Sequence, residues 1–261
     1  MLSIPEEVPA APLRAFRAVV GLVAAAKSLE YAVSPYRGTL PRPLWSFLPA
    51  LPVPVWTALS AVLLVAGVLV ALGRLARPAA LVGGLTVFAF LLVAGYYANH
   101  AYLLATLLVM LSFTDCAARG ETVWGPPVYL IRAQISVVYL FAAIAKINLD
   151  FLTGNELASL GFHSMLAPRW VVAMPFLPAM AAATVAGELV VAIGLWIPRL
   201  RRYAMAVGVL LHLGMIAYIS PGVLGVVELG LFAAMMIGGY LLFVPRSPFI
   251  RTGETVTARS H

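Results

Sequence analysis

The sequence predicts an all-α fold, a polytopic membrane helix bundle of about eight transmembrane helices. Apolar residues make up 62% of the 261 residues and charged residues only 10%, against about 25% charged in an average soluble domain. Mean hydropathy is +0.99. These values exclude a soluble enzyme, a disordered chain and a nucleic-acid-binding domain, because so few charges cannot cover a soluble surface. The apolar runs are long and continuous, which also excludes a β-barrel.

The helices are expected wherever about 20 apolar residues can cross a bilayer. Prolines mark several of the breaks between them, such as Pro126-Pro127 and Pro198. We expect no strands, no soluble domain and a single membrane domain over 1–261. The expected helices cover 12–33, 54–73, 78–97, 99–117, 127–149, 177–197, 203–219 and 222–244.

The arginines predict the orientation of this bundle. With eight helices, eleven arginines fall on the N-terminus, the loops 74–77, 118–126 and 198–202, and the C-terminal tail. The opposite face carries three, at Arg37, Arg42 and Arg169. The positive-inside rule then places both termini in the cytoplasm, with the chain in the inner membrane of a bacterial cell. The long outer loops 34–53 and 150–176, which are rich in aromatic residues, are expected to lie at the interface or fold back over the helix ends.

Nine ionisable residues lie within or beside the apolar spans, and each is a candidate functional residue because a charge at the helix centre costs about 2.5–3.5 kcal/mol. Six of them lie in the outer half of the membrane, on five different helices, which predicts a polar cavity that opens outward. The six are Lys27, Glu30, His100, Lys146, His212 and Glu228. Glu188 lies near the midplane, and Asp115 and Arg132 lie toward the cytoplasm.

Simpler explanations exist for each of these residues. Lys27 and Glu30 are three residues apart and can neutralise each other, while Lys146 can extend its stem to the headgroups. His100 can be an interfacial residue that bonds a backbone carbonyl. His212, Glu188 and Glu228 can form hydrogen bonds between helices, and Asp115 and Arg132 can form a pair or a helix cap. A metal site is not expected, because the only cysteine is Cys116 and no helix carries a His/Glu pair with metal-ligand spacing.

Three stretches resemble the vitamin K-dependent gamma-carboxylases. Asn99, His100, Tyr102 and Leu103, followed by 112–115, resemble the Asn-His-x-Tyr-Leu … Thr-Phe-x-Asp segment of that family. The run 138–154, with Tyr139 and Lys146, resembles the Tyr-Phe-x-Ala-Gly-x-Lys-Lys-Leu-Asp-x-Asp-Trp-x-x-Gly run, and His212 fits a later intramembrane histidine. The opening 13–21 is similar to the start of the horizontally transferred transmembrane (HTTM) domain, the bacterial branch of the family. The resemblance covers roughly 12–245.

The resemblance implies a chemistry in which a hydroquinone is oxygenated and the strong base so formed deprotonates a glutamate γ-carbon for carboxylation. The resemblance also implies that Lys146 is the base acting on the reduced quinone and that His100 lies beside that chemistry. We expect His212, Glu228, Asn99, Tyr139, Lys27 and Glu30 to line the substrate or cofactor cavity. The first of the family's two adjacent lysines is Ala145 here, which leaves the substrate open.

Two functional hypotheses follow. The first is a quinone-linked enzyme that acts on a peptide or small substrate at the outer face of the membrane. The alternative is a non-catalytic maturation or binding factor for a lipid or a secreted peptide; a small transporter is disfavoured because no inverted repeat is evident. The expected partners are the bilayer and a peptide substrate or partner protein, and nucleic acid is not expected. The enzyme hypothesis predicts Lys146 and His100 within hydrogen-bond reach, whereas a binding factor tolerates Lys146→Arg.

Overall fold

The computed structural model describes residues 5–33, 51–93, 98–172 and 175–244. Over these ranges the chain is mainly helical, with two short strands, β1 (Glu7–Pro9) and β2 (Thr122–Trp124), and a 3-10 turn at Leu241–Phe243. The helices are α1 (Ala10–Val33), α2 (Val53–Leu72), α3 (Ala76–Val93), α4 (Asn99–Ser112), α5 (Gly125–Lys146), α6 (Leu149–Leu152), α7 (Asn155–Phe162), α8 (Arg169–Val172), α9 (Leu177–Gly194), α10 (Arg201–Ile219) and α11 (Val223–Tyr240).

The helical membrane bundle is confirmed. The eight long helices, α1–α5 and α9–α11, follow the eight predicted spans in order. Six of the helices described are long and apolar enough to cross a membrane, namely α2, α3, α5, α9, α10 and α11 with its 3-10 extension. The helix α1 has 24 residues but carries four charges, at Arg14, Arg17, Lys27 and Glu30.

The fourth helix is shorter than predicted. It ends at Ser112 instead of 117, so its 14 residues extend about 21 Å, less than the roughly 30 Å of a hydrocarbon core. The apolar run continues, but in turns, where the Thr114 hydroxyl donates to the Leu111 carbonyl at 2.8 Å. Hydropathy alone does not distinguish these turns from helix. The predicted end of the third helix, 94–97, lies outside the described residues.

The expectation of no strands is wrong in one place. Strands β1 and β2 pair antiparallel, with Val8 opposite Val123, and Gly125 N donates to Glu6 O at 2.7 Å. Three-residue strands are too short to show alternation of apolar and polar residues. This ribbon holds the beginnings of α1 and α5 at the same end of the bundle, so Lys27 and Lys146, near the ends of these two helices, both lie toward the opposite end.

The long loop between α5 and α9, predicted over 150–176, contains the short helices α6, α7 and α8. Asn148 caps α6 by accepting a hydrogen bond from Phe151 N at 2.9 Å, and Phe151 is buried. Gly154 has φ +84° and lies against Leu177 at the beginning of α9. The loop therefore folds back over the ends of α9 and α10, which α7 contacts; the side of the membrane on which it lies stays a prediction. Residues 34–50 of the other long loop, which include Trp45 and Phe47, lie outside the described residues.

The helices pack in an order that positions the polar residues. In one half α1, α2, α3 and α4 are successive neighbours, and in the other α5 packs on α9 and α9 on α10. The two halves are joined by α11, which contacts both α1 and α10. The approach of α1 to α2 is close enough to need glycine, since a Cβ on Gly67 would lie 2.6 Å from the backbone nitrogen of Ala25.

Candidate functional site

Lys27 lies at the centre of a polar cluster formed by α1, α4 and α11. Its Nζ is 2.5 Å from Glu30 Oε2, 3.1 Å from His100 Nε2 and 3.7 Å from Glu228 Oε1. Only 4% of the Lys27 side chain is exposed. We call these four residues the Lys27 cluster. The structure thus brings together four of the six residues that the sequence places in the outer half of the membrane.

The positions of these residues on their helices explain why they meet. Lys27 and Glu30 are one turn apart near the end of α1, so they lie on one face of the helix. His100 is in the first turn of α4, and Glu228 is in the second turn of α11. The neutralisation of Lys27 by Glu30 considered from the sequence is therefore present, but as part of a larger cluster.

With Lys27 as an ammonium, the contacts of the Lys27 cluster assign a role to each of its partners. An ammonium carries three donors and no acceptor, and Lys27 Nζ faces three acceptors. His100 Nε2 must then accept, so the imidazole is neutral with its proton on Nδ1. With Glu30 and Glu228 both ionised, the cluster carries one negative charge in excess. A proton shared by the two carboxylates removes that excess, so the cluster can take up and release a proton.

Aromatic rings line one side of the Lys27 cluster. Tyr31 stacks on Phe90 with ring centroids 4.2 Å apart, and Trp56 contacts the same Phe90 ring at 4.9 Å. Trp56 Nε1 donates to the Tyr31 carbonyl at 2.6 Å. Lys27 Nζ lies 5.6 Å from the Tyr31 ring centroid, within the range of a cation–π contact. Tyr31 and Phe90 were not among the residues predicted from the sequence, where the only local signal is the four-residue spacing of Lys27 and Tyr31.

Lys146 forms a second polar site, with α9. Its Nζ donates to Glu188 Oε1 at 2.8 Å and lies 5.8 Å from the Phe151 ring. The Lys146 side chain is 29% exposed and that of Glu188 12%. Glu188 Oε2 is buried and has no hydrogen-bond partner among the described residues. Lys146 therefore turns toward a carboxylate in the bundle, which differs from the extension to the headgroups considered from the sequence.

The expected contact between Lys146 and His100 is wrong. His100 contacts Lys27, whereas Lys146 contacts Glu188. The physical reason is the packing order: α4 packs mainly against α3, and α5 packs mainly against α9. Both lysines lie toward the same end of the bundle, and the sequence does not tell which of them faces the histidine. The enzyme hypothesis therefore loses the Lys146–His100 contact that it predicted, and the catalytic roles of Lys146 and His100 remain predictions.

A third polar group lies between α5, α10 and α11. The Tyr139 hydroxyl is 2.6 Å from His212 Nε2 and also hydrogen-bonds the Tyr240 hydroxyl. All three side chains are buried, and His212 Nδ1 has no partner among the described residues. This is the interhelical hydrogen bond considered for His212. It does not bring His212 to Glu228, which lies in the Lys27 cluster.

The remaining candidates lie apart from these three groups. Asn99 is exposed at the beginning of α4. The expected pair of Asp115 with Arg132 does not form, because the Arg132 guanidinium lies over the rings of Tyr129, at 4.5 Å, and Phe243, at 5.6 Å. In the part of the chain that the structure describes, no group of three or more His, Cys, Asp or Glu side chains is arranged to hold a metal ion.

Comparison with known proteins gives one match. The family model of the HTTM domain matches residues 6–247, a range that contains all three polar groups. The searches of curated proteins and of solved structures give no match.

Proposed function

Because this chain belongs to the HTTM domain family of membrane proteins, we propose that it is a quinone-linked enzyme that acts on a peptide or small substrate at the outer face of the membrane. The family is related to the vitamin K-dependent carboxylases, and the motifs around His100 and Lys146 resemble motifs of those carboxylases. The observation that carries the proposal is the Lys146–Glu188 pair, with one carboxylate oxygen left free beside it.

The Lys146–Glu188 pair is suited to proton transfer. A general base must have a lone pair, so the lysine must be a neutral amine when it acts. Transfer of the Nζ proton to Glu188 Oε1, across 2.8 Å, leaves Lys146 neutral and Glu188 as a neutral acid. A low-dielectric environment favours this neutral form over the ion pair. Lys146 can then accept a proton from a hydroxyl group placed next to it.

One free acceptor beside Lys146 supports a reduced quinone as the cofactor. Glu188 Oε2 is a buried acceptor without a donor, and a hydroquinone hydroxyl is a donor. When bound, the quinol supplies the two electrons of the reaction. The bilayer gives such a lipid-soluble cofactor direct access to the bundle.

The Lys27 cluster is the second acid–base group in this proposal. Its carboxylates, at 2.5 Å and 3.7 Å from one ammonium, hold a proton between α1 and α11. His100 accepts from Lys27 and keeps its Nδ1 proton as a donor. We assign to this cluster the exchange of protons with the substrate or with the outer aqueous phase, while Lys146 and Glu188 act on the cofactor.

The experiment uses the full chain in lipid nanodiscs with menadiol, a short-chain reduced naphthoquinone, as the probe. Oxidation of menadiol yields menadione, two electrons and two protons, with dioxygen as the electron acceptor. The rate above the spontaneous background is measured by oxygen consumption. Lys146→Arg should lower that rate by about 10²–10⁴-fold, because a guanidinium keeps its proton and cannot act as a base.

Two glutamate variants provide the matched comparison. Glu188→Gln should reduce the rate, because it removes the acceptor of the Lys146 proton. Glu156→Gln, an exposed position on α7, should not change it. A rate near that of the wild type in Lys146→Arg would reject the enzyme and favour the alternative, a binding factor for a lipid or secreted peptide.

A further inference from the structure

Four arginines lie at the end of the bundle opposite the Lys27 cluster. The Arg14 Nη1 atom donates to the carbonyls of Ala118, at 2.9 Å, and Gly120, at 3.0 Å. The Arg77 Nε atom donates to Ser112 O at 3.1 Å, and Arg17 Nη1 donates to the Val70 carbonyl. Arg74 is exposed in the connection between α2 and α3. We call these four residues the arginine face.

The guanidinium groups of the arginine face form no ion pair among the described residues. Among the described residues no carboxylate oxygen lies within 4 Å of any of the four guanidinium groups; the ion pairs found there involve only lysines. Arg17 is 8% exposed, yet its Nε has no partner in the same part of the chain. A buried cation with an unsatisfied donor indicates that an anion belongs nearby.

An apolar groove begins at the arginine face. It lies between α2 and α3, has a volume of about 470 Å³ and runs from the middle of the two helices to the connection between them. Arg74 and Arg77 directly precede two of its lining residues, so their backbones lie at its end. The lining includes Val62, Val65 and Leu69 from α2 and Leu75, Pro78 and Val82 from the connection and α3.

We propose that the groove and the arginine face together bind one anionic phospholipid, with an acyl chain in the groove and the phosphate at Arg74 and Arg77. A guanidinium can donate two parallel hydrogen bonds to a phosphate. Arg17 lies behind this position, since a Cβ on Gly73, the residue before Arg74, would lie 2.6 Å from Arg17 Nη1. The phosphate then compensates the charge of Arg17 as well.

This lipid site is separate from the proposed chemistry. Arg14 and Lys27 are 13 residues apart on α1, which corresponds to about 20 Å along the helix. No residue of the lipid site contacts Lys146, Glu188 or the Lys27 cluster within the described ranges. The lipid proposal can therefore fail while the enzyme proposal stands, and the reverse is equally true.

The test is native mass spectrometry of the delipidated full chain with dioleoyl phosphatidylglycerol and dioleoyl phosphatidylcholine in competition. Juxtamembrane basic residues each contribute about 1 kcal/mol to attraction of an anionic lipid, so Arg74 and Arg77 together correspond to about thirtyfold. We expect the first phosphatidylglycerol to bind with about that preference. The Arg74→Gln/Arg77→Gln variant should bring the ratio close to one, and the control Arg199→Gln/Arg202→Gln should retain it.

A second pair of variants tests the groove without changing any charge. Val65 is 58% exposed, so Val65→Phe fills the groove without disturbing the core. It should lower the affinity for the first phosphatidylglycerol, whereas Val190→Phe on the exposed side of α9 should not. An equal affinity of the wild type for the two lipids would overturn the proposal. Retention of the preference in Arg74→Gln/Arg77→Gln, or displacement of the lipid by inorganic phosphate alone, would also overturn it.

Discussion

Replacing Lys27 by methionine should destabilise the protein strongly, because it leaves the carboxylates of Glu30 and Glu228 together without a cation. Both lie within 4 Å of Lys27 Nζ, and their side chains are 22% and 32% exposed. Removal of one partner from a buried ion pair costs about 3–5 kcal/mol; partial exposure places the expected loss near 3 kcal/mol. At about 2–4 °C per kcal/mol for a chain of this size, Tm should fall by about 6–12 °C.

The charge excess makes this prediction specific. Glu30→Gln alone should cost little, because Lys27 keeps Glu228 and His100 as partners. The double variant Lys27→Met/Glu30→Gln should melt at a higher temperature than Lys27→Met, since it removes the repulsion that the single variant creates. Tm is measured in detergent by intrinsic fluorescence. A double variant that loses the sum of the two single effects, or a Lys27→Met protein within about 2 °C of the wild type, would refute the reasoning.

Three further outcomes are expected. Tyr139→Phe removes the hydroxyl that His212 and Tyr240 share. It should lower the free energy of unfolding by about 1–3 kcal/mol, seen as a lower Tm, whereas Tyr203→Phe at the surface should have little effect. Gly67→Ala should destabilise the α1–α2 contact, since its Cβ would lie 2.6 Å from Ala25 N, but Gly230→Ala, which meets nothing within 4 Å, should not. Cys116 is fully buried, so native Cys116 should react slowly with an impermeant maleimide, and a His163→Cys variant in intact cells should be labelled from the outside. Labelling of His163→Cys from the cytoplasmic side alone would reject the proposed orientation.

Much of the bundle is predictable from the sequence because its signals are local. Apolar runs of about 20 residues, broken by prolines, identify a membrane helix wherever they occur. The end of α4 and the β1–β2 ribbon were not predicted, because both depend on contacts between distant segments. At Phe113 and Cys116 the residues are as apolar as those of the preceding helix, and only the fold shows that the backbone turns there.

Some contacts of the candidate site are likewise predictable from local sequence, and others depend on the packing of the helices. The Lys27–Glu30 pair follows from a three-residue spacing on one helix, and the shared depth of His100 and Glu228 follows from counting the helices and their directions, although their contact with Lys27 does not. The partner of Lys146 does not follow, because it depends on which helices are neighbours around the bundle. Sequence reasoning placed His100 beside Lys146; the packing of α5 on α9 gives that place to Glu188.

The most direct test of the central claim is the quinone content of the purified protein. The full chain is extracted from its native membrane with a mild detergent, and the bound quinone is quantified by chromatography against an equal amount of the Glu188→Gln variant. The account predicts about one quinone per wild-type chain, a clear loss in Glu188→Gln, and no loss in Glu156→Gln. A wild-type protein that carries no more quinone than the surrounding lipid would contradict it.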